Sequence, residues 1–558
     1  MQNEQLNEFT PAEHIHQIRS YFDIIDNAVQ IGDTNRKYSD AKVPSQPGTA
    51  KDNTWVTFNL SPPGENMLDL YNTFISFKMK GTYTVKTKIG EAIAGKTNAP
   101  GFWLVNDDTI YTVAGYQILA NGRIVYSQDN AREENFIVSN SQTTEQIKKV
   151  DVFSKTRHED LWNRSGTCRT AQIVSGAIEA GGKVNLNKQL KIPVRKFLPL
   201  EVIRFIPAFA GNIQLKVKFS SDALQVTPIS INDFLAFNPT LKVEFASGSE
   251  PPTNKFVPWN EEFTMITSAT EAAGTVTLTT AKQTLSRISV EFEECFIHTK
   301  SFSLDPNIYT ELVEHYTNES LCFPVKVTDW IPMDGSFNGS SGVFTAAFTS
   351  INVKSIWSLF RKNDNYLVNF ENPKFETIQF NMGAYGNMPA EPESSYGPIF
   401  YETVANACNA NNDMIGFNED VMRSLVDDGT VDHKYESYDN THFLCGFPTE
   451  VDFCFQQGQT STAPITYKIA VKGGPNIATE YTSKPLIGFL RDCCFAIQVR
   501  PNGIPIIRLD DYNLAADSGE ENSWEHLFLK LINEFENISR ALTFYKGIFT
   551  GPSIWSTL

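Results

Sequence analysis

The chain has 558 residues, 41% hydrophobic, 12% aromatic and 20% charged, and its 47 Lys and Arg against 64 Asp and Glu leave a net charge of −17. At roughly 100–200 residues per domain this length implies more than one core, and the composition excludes disorder, collagen-like repeats, a coiled coil and a basic nucleoprotein. Basic runs no longer than Lys148-Lys149, Arg195-Lys196 and Arg361-Lys362 disfavour direct nucleic-acid binding, which needs clustered cations, whereas 40 Phe, 19 Tyr and 8 Trp suit large buried β surfaces.

The segment Met1–Gln5 has neither a basic nor an apolar signal region, so secretory export is not expected. Thr10-Pro11-Ala12-Glu13 is a capping box with Pro at N1. Ile15, Ile18, Phe22, Ile25 and Val29 follow at helical spacing and predict an amphipathic helix. His14 and His16, two apart, point to different faces of that helix and make a poor metal pair. The polar stretch 32–52, with Pro44, Pro47 and Gly48, reads as an extended tether before a first strand at Trp55.

Alternation with period two then dominates. Ile75, Phe77, Met79, Gly81, Tyr83, Val85 and Ile89 face one way, and Lys78, Lys80, Lys86 and Lys88 the other. The same pattern marks Val56/Phe58/Leu60, Ile213–Phe219, Leu241/Val243/Phe245 and Ile288/Val290/Phe292. It returns at Phe323/Val325/Val327, Val451/Phe453/Phe455, Ile465–Val471 and Phe495/Ile497/Val499. Asn121-Gly122, Gly181-Gly182, Asn338-Gly339 and Asn502-Gly503 supply turns. Clean alternation predicts antiparallel sheets with one covered face, an all-β protein of stacked sheets. A second amphipathic stripe, Leu527 to Leu542, predicts a C-terminal helix. Four segments follow: 1–50, helix and tether; 51–300, first β domain; 301–515, second; 516–558, C-terminal helix and tail.

Catalytic signatures fail on context. Gly90–Thr97 matches the G-x-x-x-x-G-K-T phosphate-loop string, but Pro100 and Gly101 break the helix that must follow, so a Gly-rich hairpin loop is expected. Gly339-Ser340-Ser341-Gly342 is not a nucleophile elbow. The acidic pairs Glu133-Glu134 and Glu293-Glu294 read as surface charge rather than glycosidase acids. The eight cysteines, at 168, 295, 322, 408, 445, 454, 493 and 494, lack C-x-x-C spacing and several sit in apolar runs, so reduced core thiols are expected. No enzyme activity, cofactor or metal is expected.

Several passages carry a resemblance. Met67-Leu68-Asp69-Leu70 leads into the strand Thr73–Lys80, and Tyr116–Arg123 forms a strand with an Asn-Gly turn before a helical excursion at Arg132–Val138. Leu190–Val194, Phe205-Ile206-Pro207 and Ile213–Phe219 follow. In the second half come Ser355–Phe360, Glu371–Phe375, Ile378-Gln379-Phe380, Asn387-Met388-Pro389 and a helix-like Phe400–Ala407. The pattern resembles the double jelly-roll major capsid proteins of Polinton/Maverick-like, adintovirus-like and virophage-related DNA viruses. It spans roughly residues 55–510.

The resemblance implies two consecutive eight-stranded antiparallel jelly rolls with peripheral helices. It implies a homotrimer forming a pseudo-hexameric capsomer of an icosahedral virion shell, assembled inside the host cell, with penton and minor or cement proteins as partners. The N-terminal stripe Ile15, Ile18, Phe22, Ile25 and Val29 would then be an assembly arm. Membrane binding by it is disfavoured by Glu13, Asp23 and Asp26 against a single Arg19. A β-rich adhesin or fibre protein and a carbohydrate-active β-sandwich enzyme are the other readings of the same pattern.

Overall fold

A computed structural model describes residues 38–511 except 63–65, 89–100, 105–107, 141–178, 202, 228–241, 254–256, 273, 305, 308, 311–312, 315–320, 365–369, 371, 383–397, 408–442, 449–458, 475–476 and 500–504. These residues belong to one compact unit, Ile24–Asp511; a second unit, Met1–Asp23 with Tyr512–Leu558, lies outside them.

The first group of elements comprises β1 (Tyr38–Pro44), β2 (Ala50–Lys51), β3 (Thr54–Asn59), β4 (Asn66–Val85), β5 (Gly101–Leu104), β6 (Val113–Ala120), β7 (Arg123–Gln128) and α1 (Ala131–Asn140). It continues with β8 (Lys183–Pro193), β9 (Phe205–Pro207), β10 (Ile213–Phe219), β11 (Leu224–Thr227), β12 (Lys242–Phe245), β13 (Val257–Pro258), β14 (Phe263–Ala272), β15 (Thr275–Gln283) and β16 (Leu285–Ser303). Two sheets carry the architecture, in the orders β1-β16-β4-β8 and β3-β10-β6-β7. Taking these eight strands in chain order, the first pairs with the last, the second with the seventh, the third with the sixth and the fourth with the fifth. That nesting is a long antiparallel hairpin rolled into two sheets, the jelly-roll topology.

The sheets face each other because alternation puts one side of every strand in the dry layer. Ile75, Phe77, Met79 and Tyr83 of β4 are buried, as are Ile213, Leu215, Val217 and Phe219 of β10. Phe219 stacks on Phe292 of β16 at 5.2 Å and lies 4.7 Å from Phe77, tying the two sheets through one aromatic cluster. Asn121 and Gly122 take φ of 50° and 79° in the tight turn joining β6 to β7, as a type I′ turn requires.

Two readings of this half are corrected. The stretch 32–52 is not all tether, since β1 pairs along its whole length with β16. Its inward residues Ser39, Ala41 and Val43 are small and only half-buried, so the strand carries little apolar signal. Ile288 does not share the dry face of Val290 and Phe292. A bulge between Arg287 and Ser289 shifts the register against β4, leaving Ile288 54% exposed while Phe292 is buried.

The second group comprises β17 (Leu321–Pro332), β18 (Asp334–Asn338), β19 (Ser341–Leu359), β20 (Thr377–Met382), α2 (Pro398–Ala407), β21 (Gly446–Pro448), β22 (Gln459–Lys472), α3 (Ile477–Glu480), β23 (Leu486–Val499) and β24 (Pro505–Asp511). Its strands form one sheet whose order β17-β23-β19-β22 repeats β1-β16-β4-β8, first long strand beside last. No strand of one group pairs with a strand of the other among the described residues. The expected turn at Asn338-Gly339 closes a hairpin over 335–342: Asn338 pairs with Ser341 around Gly339-Ser340, with Gly339 at φ 60°. Trp357 is 1% exposed and lies against Gly446 of the neighbouring strand, where a Cβ would stand 2.5 Å from its ring, so only glycine admits the indole there.

Candidate functional site: a buried charged helix between the two strand groups

Helix α1 follows β7 directly, and its first turn reads Ala131-Arg132-Glu133-Glu134. Adjacent charges would normally mark a solvated face. Here Arg132, Glu133 and Glu134 are all buried, at 6%, 8% and 0% exposure, so the surface-charge reading of Glu133-Glu134 is overturned. The helix lies between the two strand groups, and each charge has a direction.

Arg132 turns toward the first group, where its Nε donates to the Tyr111 carbonyl at 3.3 Å and its guanidinium stands 4.0 Å from Asp222. Burial holds the guanidinium below its ordinary value. Glu133 lies within reach of the fields of Arg132 and of Arg361 from the second group; burial nonetheless raises its carboxyl, even with its own backbone amide in the first turn donating to it. Phe136 reaches across to Phe370, edge to face at 4.6 Å.

Glu134 is the centre. Its Oε1 accepts from the Tyr116 hydroxyl at 2.6 Å, and its Oε2 accepts from the Thr328 hydroxyl at 2.6 Å, Gln128 Nε2 at 3.1 Å and the Tyr126 hydroxyl at 3.2 Å. Tyr116, Tyr126 and Gln128 come from β6 and β7, Thr328 from β17, so one carboxylate joins both groups. Gln128 Nε2 also donates to the Thr328 carbonyl at 2.9 Å, and Trp330 Nε1 to the Thr328 hydroxyl at 3.3 Å. Burial raises Glu134 above the usual carboxylate range, and the four donors oppose that rise. Both phenols are pushed well up by burial and by the Glu134 charge, which keeps them protonated as donors.

A second tie lies at Asn121, whose side-chain amide donates to the Pro505 carbonyl at 3.1 Å. Gly211 sits beside it at φ 81°, where a Cβ would come within 2.7 Å of both Asn121 and Pro505. Such a network fixes orientation, because a buried polar cluster is satisfied in only one relative placement of its elements.

Sequence reasoning missed this cluster, although a signal existed. Tyr126 and Gln128 occupy inward positions of β7, and a polar side chain on a dry strand face calls for a buried partner. Ile15, Ile18, Phe22, Ile25 and Val29 lie outside the described residues, as do the 90–97 string, His14, His16 and the strand expected at 451–455. Cys295 and Cys445 are buried thiols, Cys295 pushed up to about 12 by burial. Among the described residues no group of His, Cys, Asp and Glu could hold a metal, and no helix is long and apolar enough to cross a membrane.

No protein-family model and no curated protein matches the sequence. Solved structures do match. A chain of the Sputnik virophage structure determined by cryo-EM superposes with a TM-score of 0.51 at 10% identity, covering 88% of this chain and 92% of its own. The chain has a double jelly-roll fold. The crystal structure of the mavirus major capsid protein is also similar, with a TM-score of 0.48 at 8% identity over 87% of this chain and 93% of that one. In the double jelly-roll, the expected helix at Arg132–Val138 is α1, and the helix-like Phe400–Ala407 is α2. Lys374 sits exposed at φ 53° with its amide on the Asn372 side chain, and Phe375 beside it is buried.

Proposed function

We propose that this chain is a major capsid protein, a structural subunit rather than an enzyme. It associates as a homotrimer into a pseudo-hexameric capsomer and tiles an icosahedral virion shell. The observation that carries the reading is the joining of two β domains through a buried, directional network, which makes one stiff block of two sandwich-like units. A shell subunit needs such a block, because flexible domains lose entropy at every lattice contact. The reading divides the chain at about residue 300, into a first roll over 51–300 extended by β1 and a second over 301–515. It assigns the segment 1–33, ahead of β1, to assembly, with the stripe Ile15, Ile18, Phe22, Ile25 and Val29 as an arm that packs on a neighbour. Penton and minor or cement proteins are further partners, and the virion is its location.

Light scattering of the purified chain tests the reading. A mass of three chains in dilute buffer, and hexagonal blocks or shells in electron micrographs, are expected. A monomer that persists at high concentration overturns it.

A further inference from the structure

The outward face of the β1-β16-β4-β8 sheet carries a pattern that the junction and the core do not use. In register across the four strands run Lys42, His298, Phe74 and Pro193, and in the next row Pro44, Phe296, Ser76 and Lys191. His298 stacks on Phe74 at 4.5 Å and its Nε2 lies 2.8 Å from the Ser76 hydroxyl. Lys42 Nζ lies 3.9 Å over the Phe296 ring, and Lys191 Nζ 3.8 Å over the Phe74 ring. Phe74, Phe296 and His298 are half-buried, and Lys42 and Lys300 are exposed. The two rings and their cations thus form one ordered, cationic-aromatic strip, with Lys191 half-buried like the rings.

We propose that this strip is a subunit contact, receiving an acidic surface of a second copy of the chain; the inference rests on the capsid reading above and names one surface through which the oligomer forms. Three arguments select that occupant. The strip spans β1 to β8, three strand spacings or about 14 Å, too wide for one small anion to bridge and suited to a protein surface. The chain as a whole carries −17, so a second copy brings more carboxylates than cations to meet the lysines of the strip. A cyclic trimer uses a heterologous contact, in which two different patches meet, so lysines on one need not face lysines on the other as in a twofold dimer.

The field at the strip agrees. Burial and then Lys42 and Lys191 hold His298 below its ordinary value, and burial and then Lys300 do the same to Lys191. A nucleic acid is the poorer fit, because Asp40 lies on β1 beside the strip and Glu293, paired with Lys80 at 2.5 Å, on the same sheet.

The test uses the full chain with Lys42→Glu and Lys191→Glu together, against a control with Lys242→Glu and Lys282→Glu in the small β12-β15-β14 sheet. Sedimentation velocity over a dilution series reads the oligomer, and thermal unfolding checks folding. The strip variant is expected to weaken association on the order of tenfold or more, with the control and the melting temperature unchanged. A strip variant that associates like the wild type overturns the inference and leaves the capsid reading standing. A wild type that never associates overturns both. Retention on duplex DNA lost in the strip variant, with its oligomer intact, assigns the strip to a polyanion and also overturns the inference.

Discussion

At Glu134 four donors converge on one carboxylate, and that arithmetic sets what a substitution does. Glu134→Gln keeps the shape but turns an amide N–H toward donors; the Tyr116 hydroxyl can rotate to accept, so a loss of about 1–3 kcal/mol is expected. Glu134→Ala leaves every donor facing a void and is expected to cost about 3–5 kcal/mol, by denaturant unfolding. The pH response has a definite sign. Because burial raises the folded carboxyl, the folded chain holds that proton more tightly than the unfolded chain. Glu134 therefore costs nothing below its unfolded value, about 4.3. It subtracts stability as pH rises through its folded value, and the penalty stays constant above. The advantage of wild type over Glu134→Gln is expected to shrink across that rise. Parallel stability curves for the two proteins would show that Glu134 does not titrate as its burial dictates.

Elements are placed here by registers that bulges reset. β16 pairs with β4 over nearly twenty residues, but its register shifts at Arg287/Ser289, Glu293/Phe296 and His298/Lys300, with Glu294 at φ 51° in the middle shift. Each shift lets a long strand bend with the curling sheet, and the first two exchange which residues of β16 face the core. Ile288→Thr is therefore expected to change stability by no more than about 0.5 kcal/mol, whereas Phe292→Ala, emptying the aromatic cluster, is expected to cost about 3–5 kcal/mol. Equal losses at the two sites would place Ile288 in the core and remove the bulge. Helix α1 serves a different end. α1 buries charge as well as the apolar side chains of Phe136 and Ile137, and partners supplied by β6, β7 and β17 satisfy the Glu134 carboxylate.

For the whole molecule, two β domains linked through α1 behave as one body in the capsid reading, which gives the amphipathic segment ahead of β1 to a neighbour. Deleting residues 1–33 is expected to leave a soluble, folded trimer that forms shells poorly, scored by electron microscopy and light scattering. Loss of soluble trimer would place the stripe of Ile15 and Phe22 in the chain's own core, and normal shells would make it dispensable.

Much of this was legible in residue order alone. Period-two alternation along Ile75–Val85 and Ile213–Phe219, and the turn at Asn121-Gly122, specify antiparallel strands and a tight hairpin because side-chain direction and φ are local properties. The helix after Gln128 was expected from the family resemblance and not from a local pattern. The strand β1 was not, since Ser39, Ala41 and Val43 bury little apolar area and form a strand only against β16. Nor were the burial of Glu133 and Glu134 or the cationic strip from Lys42 to Lys191. Partners such as Thr328 stand nearly two hundred residues from Glu134, and lysines on separate strands become neighbours only in the sheet. Long-range pairing decides which charges meet, and no local pattern encodes it.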